Sequence, residues 1–241
     1  MNDSYEVVLD DRTATLGGSF NPGDCQVYSP LPLKWAWEQL SRYPKATLID
    51  VGASTGCYTL LSRYHPDLTV HAFEPVPLTN MVLRENVFLN DLMDKVTVNN
   101  CAVSNYNGTG IMHVVKSDGG KGVSIFEGKP AYHKDCEDVP MPCVTIDAYC
   151  ALHGIAPTFI KIDTEGAELF VLEGARETIA KYHPFIITEY SNENADQFGY
   201  TASKLIEFMD EFNYVWSNPE QTDLWCVPVG WETLTNAEVT I

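Results

Sequence analysis

Apolar and polar positions in this chain fall into short runs of alternating period. Five compact apolar runs read as buried strands: Ala46–Val51, Leu68–Glu74, Val96–Cys101, Thr158–Asp163 and Phe185–Glu189. Between them the period changes to that of helices. One helix is expected from Cys57 to Tyr64. Another is expected from Leu78 to Asp91, with Leu78, Met81, Val82 and Leu89 near its apolar face. Thr145–His153 reads as a short helix, and Thr164–Glu168 opens another whose Leu169, Phe170 and Leu172 precede a break at Gly174. Thr201 is the expected N-cap of a helix bearing Leu205, Ile206, Phe208, Met209 and Phe212. Two last strands, Asn213–Ser217 and Leu224–Val229, are expected to pair antiparallel across a turn at Pro219.

Strands that alternate with helices imply a parallel sheet with right-handed crossovers. The expected architecture is therefore α/β, a doubly wound Rossmann-like sheet of seven strands, mostly parallel, with an antiparallel edge. The chain reads as a single domain over residues 1–241. Residues 1–45 form an arm with turn signals at Gly17-Gly18 and Asn21-Pro22-Gly23, then a helix from Leu33 to Tyr43 opened by Pro32. Trp35 and Trp37 suit that helix to covering the sheet. Residues 46–190 form the core, and 105–141 an insertion in which Ile111–Val115 and Val123–Phe126 pair as a hairpin. Residues 191–241 add the last helix and strands.

Composition narrows the function. The 241 residues carry 15 basic against 33 acidic side chains, a net charge of −18, so phosphate backbones and anionic lipid surfaces are disfavoured partners. No apolar run approaches the ~20 residues of a membrane span. Met1–Asp11 lacks the basic start and apolar core of a signal peptide, and the seven scattered cysteines include no C-x-x-C. A cytoplasmic protein with reduced thiols is expected. His133, Cys136, Cys143 and Cys150 match no zinc spacing, so no metal site is assigned.

The candidate chemistry sits where the strands end. Asp50-Val51-Gly52-Ala53-Ser54-Thr55-Gly56 is a strand end and a glycine turn. It has neither the G-x-x-x-x-G-K of a phosphate loop nor the G-x-G-x-x-G of a dinucleotide site. Asp50 would repel a pyrophosphate and suit a cationic group, such as the ammonium and sulfonium of S-adenosylmethionine. Glu74 closes the next strand 22 residues beyond Gly52, where a carboxylate can accept from both hydroxyls of a ribose. Cys101, Ala102 and Val103 could supply an adenine slot.

With these runs the chain resembles the FkbM family of S-adenosylmethionine-dependent methyltransferases. The shared residues are Asp50–Gly56, Ala72-Phe73-Glu74-Pro75, Asn86 with Asn90, and Ala102-Val103-Ser104. The most specific run is Ile160-Lys161-Ile162-Asp163-Thr164-Glu165-Gly166-Ala167-Glu168, followed by Leu172-Glu173-Gly174-Ala175 and Glu189. The family usually has Asn where Ser54 stands. The resemblance implies a class I methyltransferase fold and O-methylation of a small-molecule or sugar hydroxyl. It implies that Asp50, Gly52, Ala53, Ser54, Gly56, Glu74, Pro75, Cys101, Ala102, Val103 and Asp163 hold the cofactor. Asp163 would lie nearest the methionine moiety. Glu165 or Glu189 would be the base or acceptor anchor, and Lys161 would orient a carboxylate or pair with Glu189. His113 is a further, weaker base candidate. A nicotinamide-dependent oxidoreductase and a catalytically silent binding module are the competing readings, and a homo-oligomer is compatible with all three.

Overall fold

The computed structural model describes residues 30–115, 125–126 and 136–231. Its main sheet has seven strands: β1 (Ala46–Val51), β2 (Leu68–Phe73), β3 (Val96–Asn99), β8 (Phe159–Ile162), β9 (Phe185–Glu189), β10 (Tyr214–Ser217) and β11 (Asp223–Pro228). They lie in the order β10-β11-β9-β8-β1-β2-β3. Pairing is parallel from β3 through β9, and β11 runs antiparallel between β9 and β10. The reversed strand is thus one in from the edge, and β10 at the edge runs with the parallel set. The strand order turns back at β1, so the carboxyl ends of β1 and β8 flank the crevice where such sheets hold ligands.

Successive strand residues point to opposite faces, and each face has its own core. Ile49, Val51, Ile160, Ile162 and Ile186 pack with Val171, Leu172, Leu205 and Met209. Leu48, Val70, Ala72, Phe159 and Ile187 pack with Ala36, Leu40, Leu83 and Val87. The first described helix, α1 (Pro30–Leu40), covers the second face. Its Trp35 meets Phe159 edge-on at 5.4 Å and stacks on Trp225 at 5.2 Å.

Three elements differ from the sequence expectation. The segment after the glycine turn is a 3-10 turn, Thr59–Arg63, where the pattern suggested a helix from Cys57 to Tyr64. The Thr59 hydroxyl donates to Asp50 Oδ2 at 2.6 Å and draws the chain inward beneath β1. Helix α2 (Pro77–Leu89) buries Asn80, Val82, Leu83, Asn86 and Val87, whereas Leu78, Met81 and Leu89 are exposed. The inward asparagines explain the rotation. Asn80 Nδ2 donates to Glu74 O and Asn99 O, and Asn86 Nδ2 donates to Thr55 O. These bonds give partners to carbonyls in the glycine turn and just past the strand ends, and Asn99 O takes the Asn80 amide in addition to Glu74 N. Finally, the last long helix spans Ser203–Glu211 with Ala202 as its N-cap; the Thr201 hydroxyl is instead 2.8 Å from Ser203 Oγ.

The 105–141 insertion builds a second sheet in the order β4-β7-β5-β6, from β4 (Ala102–Val103), β5 (Gly108–Val115), β6 (Ile125–Phe126) and β7 (Cys136–Val144). The expected hairpin is present in part, because His113 and Met112 pair with Ile125 and Phe126. The main partner of β5 is β7, over the full register Gly108↔Cys143 to Val115↔Cys136. The remaining helices are α3 (Ile146–His153), capped by Thr145, then α4 (Glu168–Glu173), α5 (Arg176–Tyr182), α6 (Asn192–Asp196) and α7 (Ser203–Glu211). No disulfide joins the described cysteines, and no described helix is long and apolar enough to cross a membrane. The arm before Pro30, the loop tip Lys116–Gly122 and His133 lie outside the described residues.

Candidate active site

The glycine turn is built first by sterics. Gly52 has φ +68°, and a Cβ there would sit 1.8 Å from the Asp163 carbonyl oxygen. The residue is therefore required by the close approach of the β1 and β8 loops. Lys161, buried on β8, ties the same two loops together. Its ammonium donates to Gly52 O at 2.6 Å and Val51 O at 3.2 Å. It stands 3.6 Å from both Asp50 Oδ1 and Asp163 Oδ2. Burial works against this charge, but the Asp163, Asp50 and Glu74 carboxylates outweigh it and Lys161 is held above its ordinary value.

Two expectations change here. Asp50 is 1% exposed, with one oxygen bonded to Thr59 and the other facing Lys161. It neutralises an internal cation and does not present its charge to a ligand. Lys161 pairs with Asp50 and Asp163, not with Glu189, and its hydrogen bonds hold backbone rather than orient a carboxylate.

Glu74 follows β2 and is also buried. Its Oε2 accepts from Ser54 N and its Oε1 from Val76 N, each at 2.9 Å. Burial lifts its carboxyl to about 7 against those two bonds. Ser54 holds φ +50°, a left-handed conformation that Asn tolerates better than Ser. Asn100 Nδ2 donates to the carbonyls of Glu74 and Pro75, which fastens this strand end beside Cys101. Cys101 is half-buried, and burial pushes its thiol up to about 11. Ala102 and Val103 are each 3% exposed and turn their side chains into the two neighbouring cores. The expected adenine slot cannot be lined by those two side chains; only their backbone and Cys101 remain for it.

The run after β8 divides its labour. Asp163 points outward, with its side chain 49% exposed. Glu168 staples the turn: its Oε1 accepts from Thr164 N and Oγ1 at 2.8 Å and from Gly166 N at 3.1 Å. Gly166 has φ +117°, and a Cβ would sit 2.4 Å from Asn194 O, so this glycine admits the loop after β9. That loop carries a residue the sequence reading missed. Asn194 Nδ2 donates to Glu165 Oε2 and to Glu189 Oε1, each at 3.0 Å. One amide thus clamps two carboxyl groups, one from the turn after β8 and one from the end of β9. Ser191 Oγ, accepting from Asn194 N, sets the turn that places it. A Ser three residues before Asn194 marks a helix start in sequence, but nothing there couples it to Glu165.

These acids sit too close to ionise together. Burial, then Asp163 and Glu168, raise Glu165 to about 7. Burial, then Glu168, Asp163 and Glu165, raise Glu189 to about 9. At neutral pH Glu189 keeps its proton, which removes it as a base and leaves Glu165 poised near neutrality. Asp223, at the start of β11, was also missed; burial raises it, and Asp163 and Lys161 act on it. Tyr58 packs near the same ammonium, 5.6 Å from ring centre to Lys161 Nζ. His113 lies on the second sheet, bonded to Asp138 at 2.7 Å, and the structure does not bring it into this group.

The strand ends therefore gather a glycine turn, a buried carboxyl at Glu74 held by two backbone N–H groups, an outward Asp163 and a clamped pair of acids. The sequence comparisons agree with that arrangement. A family model described as the methyltransferase FkbM domain matches residues 50–216. The 2-O-methyltransferase NoeI of Sinorhizobium fredii (strain NBRC 101917 / NGR234) is 26% identical over 184 residues, which is 71% of this chain and 74% of that protein. The 31-O-demethyl-FK506 methyltransferase FkbM of Streptomyces tacrolimicus is 39% identical over 66 residues, 27% of this chain and 25% of that protein. The crystal structure of methyltransferase FkbM from Methylobacillus flagellatus KT shares the fold, with a TM-score of 0.51 and 20% identity over 76% of this chain and 44% of that one. The site and the match across residues 50–216 lead to one assignment: the chain belongs to the methyltransferase FkbM domain family.

Proposed function

We propose that this protein is an S-adenosylmethionine-dependent O-methyltransferase acting on a hydroxyl of a small molecule or sugar. The observation that carries the reading is the convergence of Glu74, Asp163 and the Glu165–Asn194–Glu189 clamp at the carboxyl ends of neighbouring parallel strands. The residues fit the cofactor. Each Glu74 oxygen is fixed by one backbone N–H and keeps a lone pair, so the pair can accept two adjacent ribose hydroxyls. Asp163, outward and beside the glycine turn, suits the ammonium of a methionine moiety. The names of the NoeI and FK506-related relatives specify methylation at oxygen, which supports oxygen as the target atom.

When bound, the cofactor would supply an electrophilic methyl carbon on a sulfonium, open to in-line attack by an oxygen with the neutral thioether as leaving group. The chain supplies alignment and proton handling. Lys161 fixes the Val51–Gly52 carbonyls and with them the turn that carries Ser54 N and Glu74. Glu165, near 7, accepts the proton of the acceptor hydroxyl; Glu189, near 9, stays protonated and donates a hydrogen bond to the acceptor. Asn194 holds the spacing between them, which is worth rate through orientation.

A thermal-denaturation titration tests the reading. S-adenosylhomocysteine at 100 times Kd should stabilise the fold by about 2.7 kcal/mol, and NADH should not. Stabilisation by NADH alone would replace the methyltransferase reading with an oxidoreductase.

A further inference from the structure

Beside the clamp the protein opens a cleft of about 590 Å³ between the end of β9 and the turn that joins β10 to β11. Its wall includes Glu189, Tyr190, Asn192, Glu193, Asn218 and Gln221. Glu189 belongs to both places: Oε1 is held by Asn194 in the clamp, and the residue itself lines the cleft. The cleft is thus continuous with the clamp through Glu189.

The lining has a definite character. Amides, hydroxyls and one phenol provide both donors and acceptors beside the carboxyl groups of Glu189 and Glu193, and among the described residues no Lys or Arg lines it. Two oxygens of this wall, Glu189 Oε2 and Asn218 Oδ1, are buried without a hydrogen-bond partner in the protein. Such gaps are uncommon in folded proteins and persist where a ligand group completes them. Lys161, the buried cation at the ends of β1 and β8, is already committed to two carbonyls and two carboxylates.

We infer that this cleft is the acceptor site, that it takes an uncharged hydroxyl-rich acceptor of sugar size, and that it rejects anionic ones. The inference rests on the methyltransferase reading above. A carboxylate or phosphate on the acceptor would meet the carboxyl groups of Glu189 and Glu193, with no described Lys or Arg in the wall to offset it. A neutral polyol makes only hydrogen bonds, which the amide-rich wall can return on all sides. The β10–β11 turn then acts as the specificity element, through Asn218 and Gln221.

The test uses the whole chain and a matched set of acceptors: methyl α-D-glucopyranoside, methyl α-L-fucopyranoside, glucuronate and glucose 6-phosphate. S-adenosylhomocysteine affinity is measured first by calorimetry, and its absence would sink the methyltransferase reading itself. With that affinity present, methyl transfer to each acceptor is followed by mass spectrometry. A neutral glycoside should be methylated and the two anions should be at least about tenfold poorer in kcat/KM. Asn218→Ala and Gln221→Ala should each raise KM for the neutral acceptor about fivefold and leave S-adenosylhomocysteine affinity within about twofold. Glu193→Lys should improve the anions relative to the neutral sugar. A protein that binds S-adenosylhomocysteine but methylates neither glycoside, or prefers an anion, overturns the inference. So does an unchanged KM in both turn variants.

Discussion

Lowering the pH should weaken S-adenosylhomocysteine binding, and Glu74 sets the size of the effect. The residue is 6% exposed, and burial lifts its carboxyl to about 7 despite the N–H groups of Val76 and Ser54 and the charge of Lys161. A ribose that donates two hydrogen bonds favours the charged form, so its pKa falls in the complex. Protons and ligand then compete, and affinity is lost as pH falls through 7. With a ligand-free value of about 7, the carboxyl is ionised in about one molecule in eleven at pH 6 and about ten in eleven at pH 8. The expected weakening of Kd between pH 8 and pH 6 is therefore about tenfold, or about 1.4 kcal/mol.

Isothermal titration calorimetry reads this twice. The Kd gives the slope directly. Titrations at pH 7 in buffers of different ionisation enthalpy should show release of about half a proton on binding. Glu74→Gln should bind more weakly and lose the slope. Glu165→Gln is the control, because its carboxyl also sits at about 7 but belongs to the acceptor side. A wild-type Kd constant within twofold from pH 6 to 8, or a slope that survives in Glu74→Gln, refutes the assignment of Glu74 to the ribose.

The ligand-free protein should be more stable in mild acid than in mild base. Glu74 and Glu165, raised to about 7, and Glu189, raised to about 9, give stability that is complete below 4.5 and lost as pH rises through those values; Glu74 alone accounts for about 3 kcal/mol. Urea midpoints at pH 5.5 and pH 8.5 check the sign. Gly52→Ala should cost at least about 3 kcal/mol, because its Cβ would lie 1.8 Å from Asp163 O and its φ is +68°; a midpoint within the error of wild type would show that the loops yield. Ser54→Asn relieves a left-handed serine at φ +50° and should raise stability by about 0.5 kcal/mol, seen as a small rise in Tm with unchanged S-adenosylhomocysteine affinity. Asn194→Ala removes a hydrogen bond that lowers Glu165, so the acid limb of the kcat/KM profile should move up by about one pH unit while cofactor affinity holds; an unmoved limb would take Glu165 out of the proton transfer.

The main sheet was legible because its parallel strands are buried on both faces and read as continuous apolar runs. Strand β7 was not. It carries Glu137 and Asp138, and Pro140 and Pro142 interrupt it. Those prolines are accommodated because β4 pairs with β7 only at Cys143 and Val144, which leaves that side of Pro140 and Pro142 without a ladder. Helix α2 was placed correctly but turned the wrong way. Hydrophobicity ranks Leu78 and Met81 above Asn80 and Asn86, yet carbonyls left over at the strand ends outbid the apolar residues for the inward face.

The site shows the same division between what local pattern records and what only the folded contacts decide. The run from Lys161 to Glu168 announced a cluster of charges, but the tasks of its members depend on partners far along the chain. Lys161 is committed by Asp50 and the Gly52 carbonyl, 111 and 109 positions away, and Glu165 by Asn194, 29 positions on. Asp50 and Asp163 pair with the lysine, Glu168 staples a turn, Glu189 beyond the run keeps its proton and Glu165 stands near neutrality. Identical side chains acquire these different states because burial and like-charge repulsion push them up while individual N–H groups pull them down. That balance explains why Asp50, the most prominent acid in the sequence, is internal counter-charge. The less conspicuous Glu165 is, with Glu74, one of two carboxyls whose protonation changes near neutral pH, and replacing Asn194 is the change that should move it.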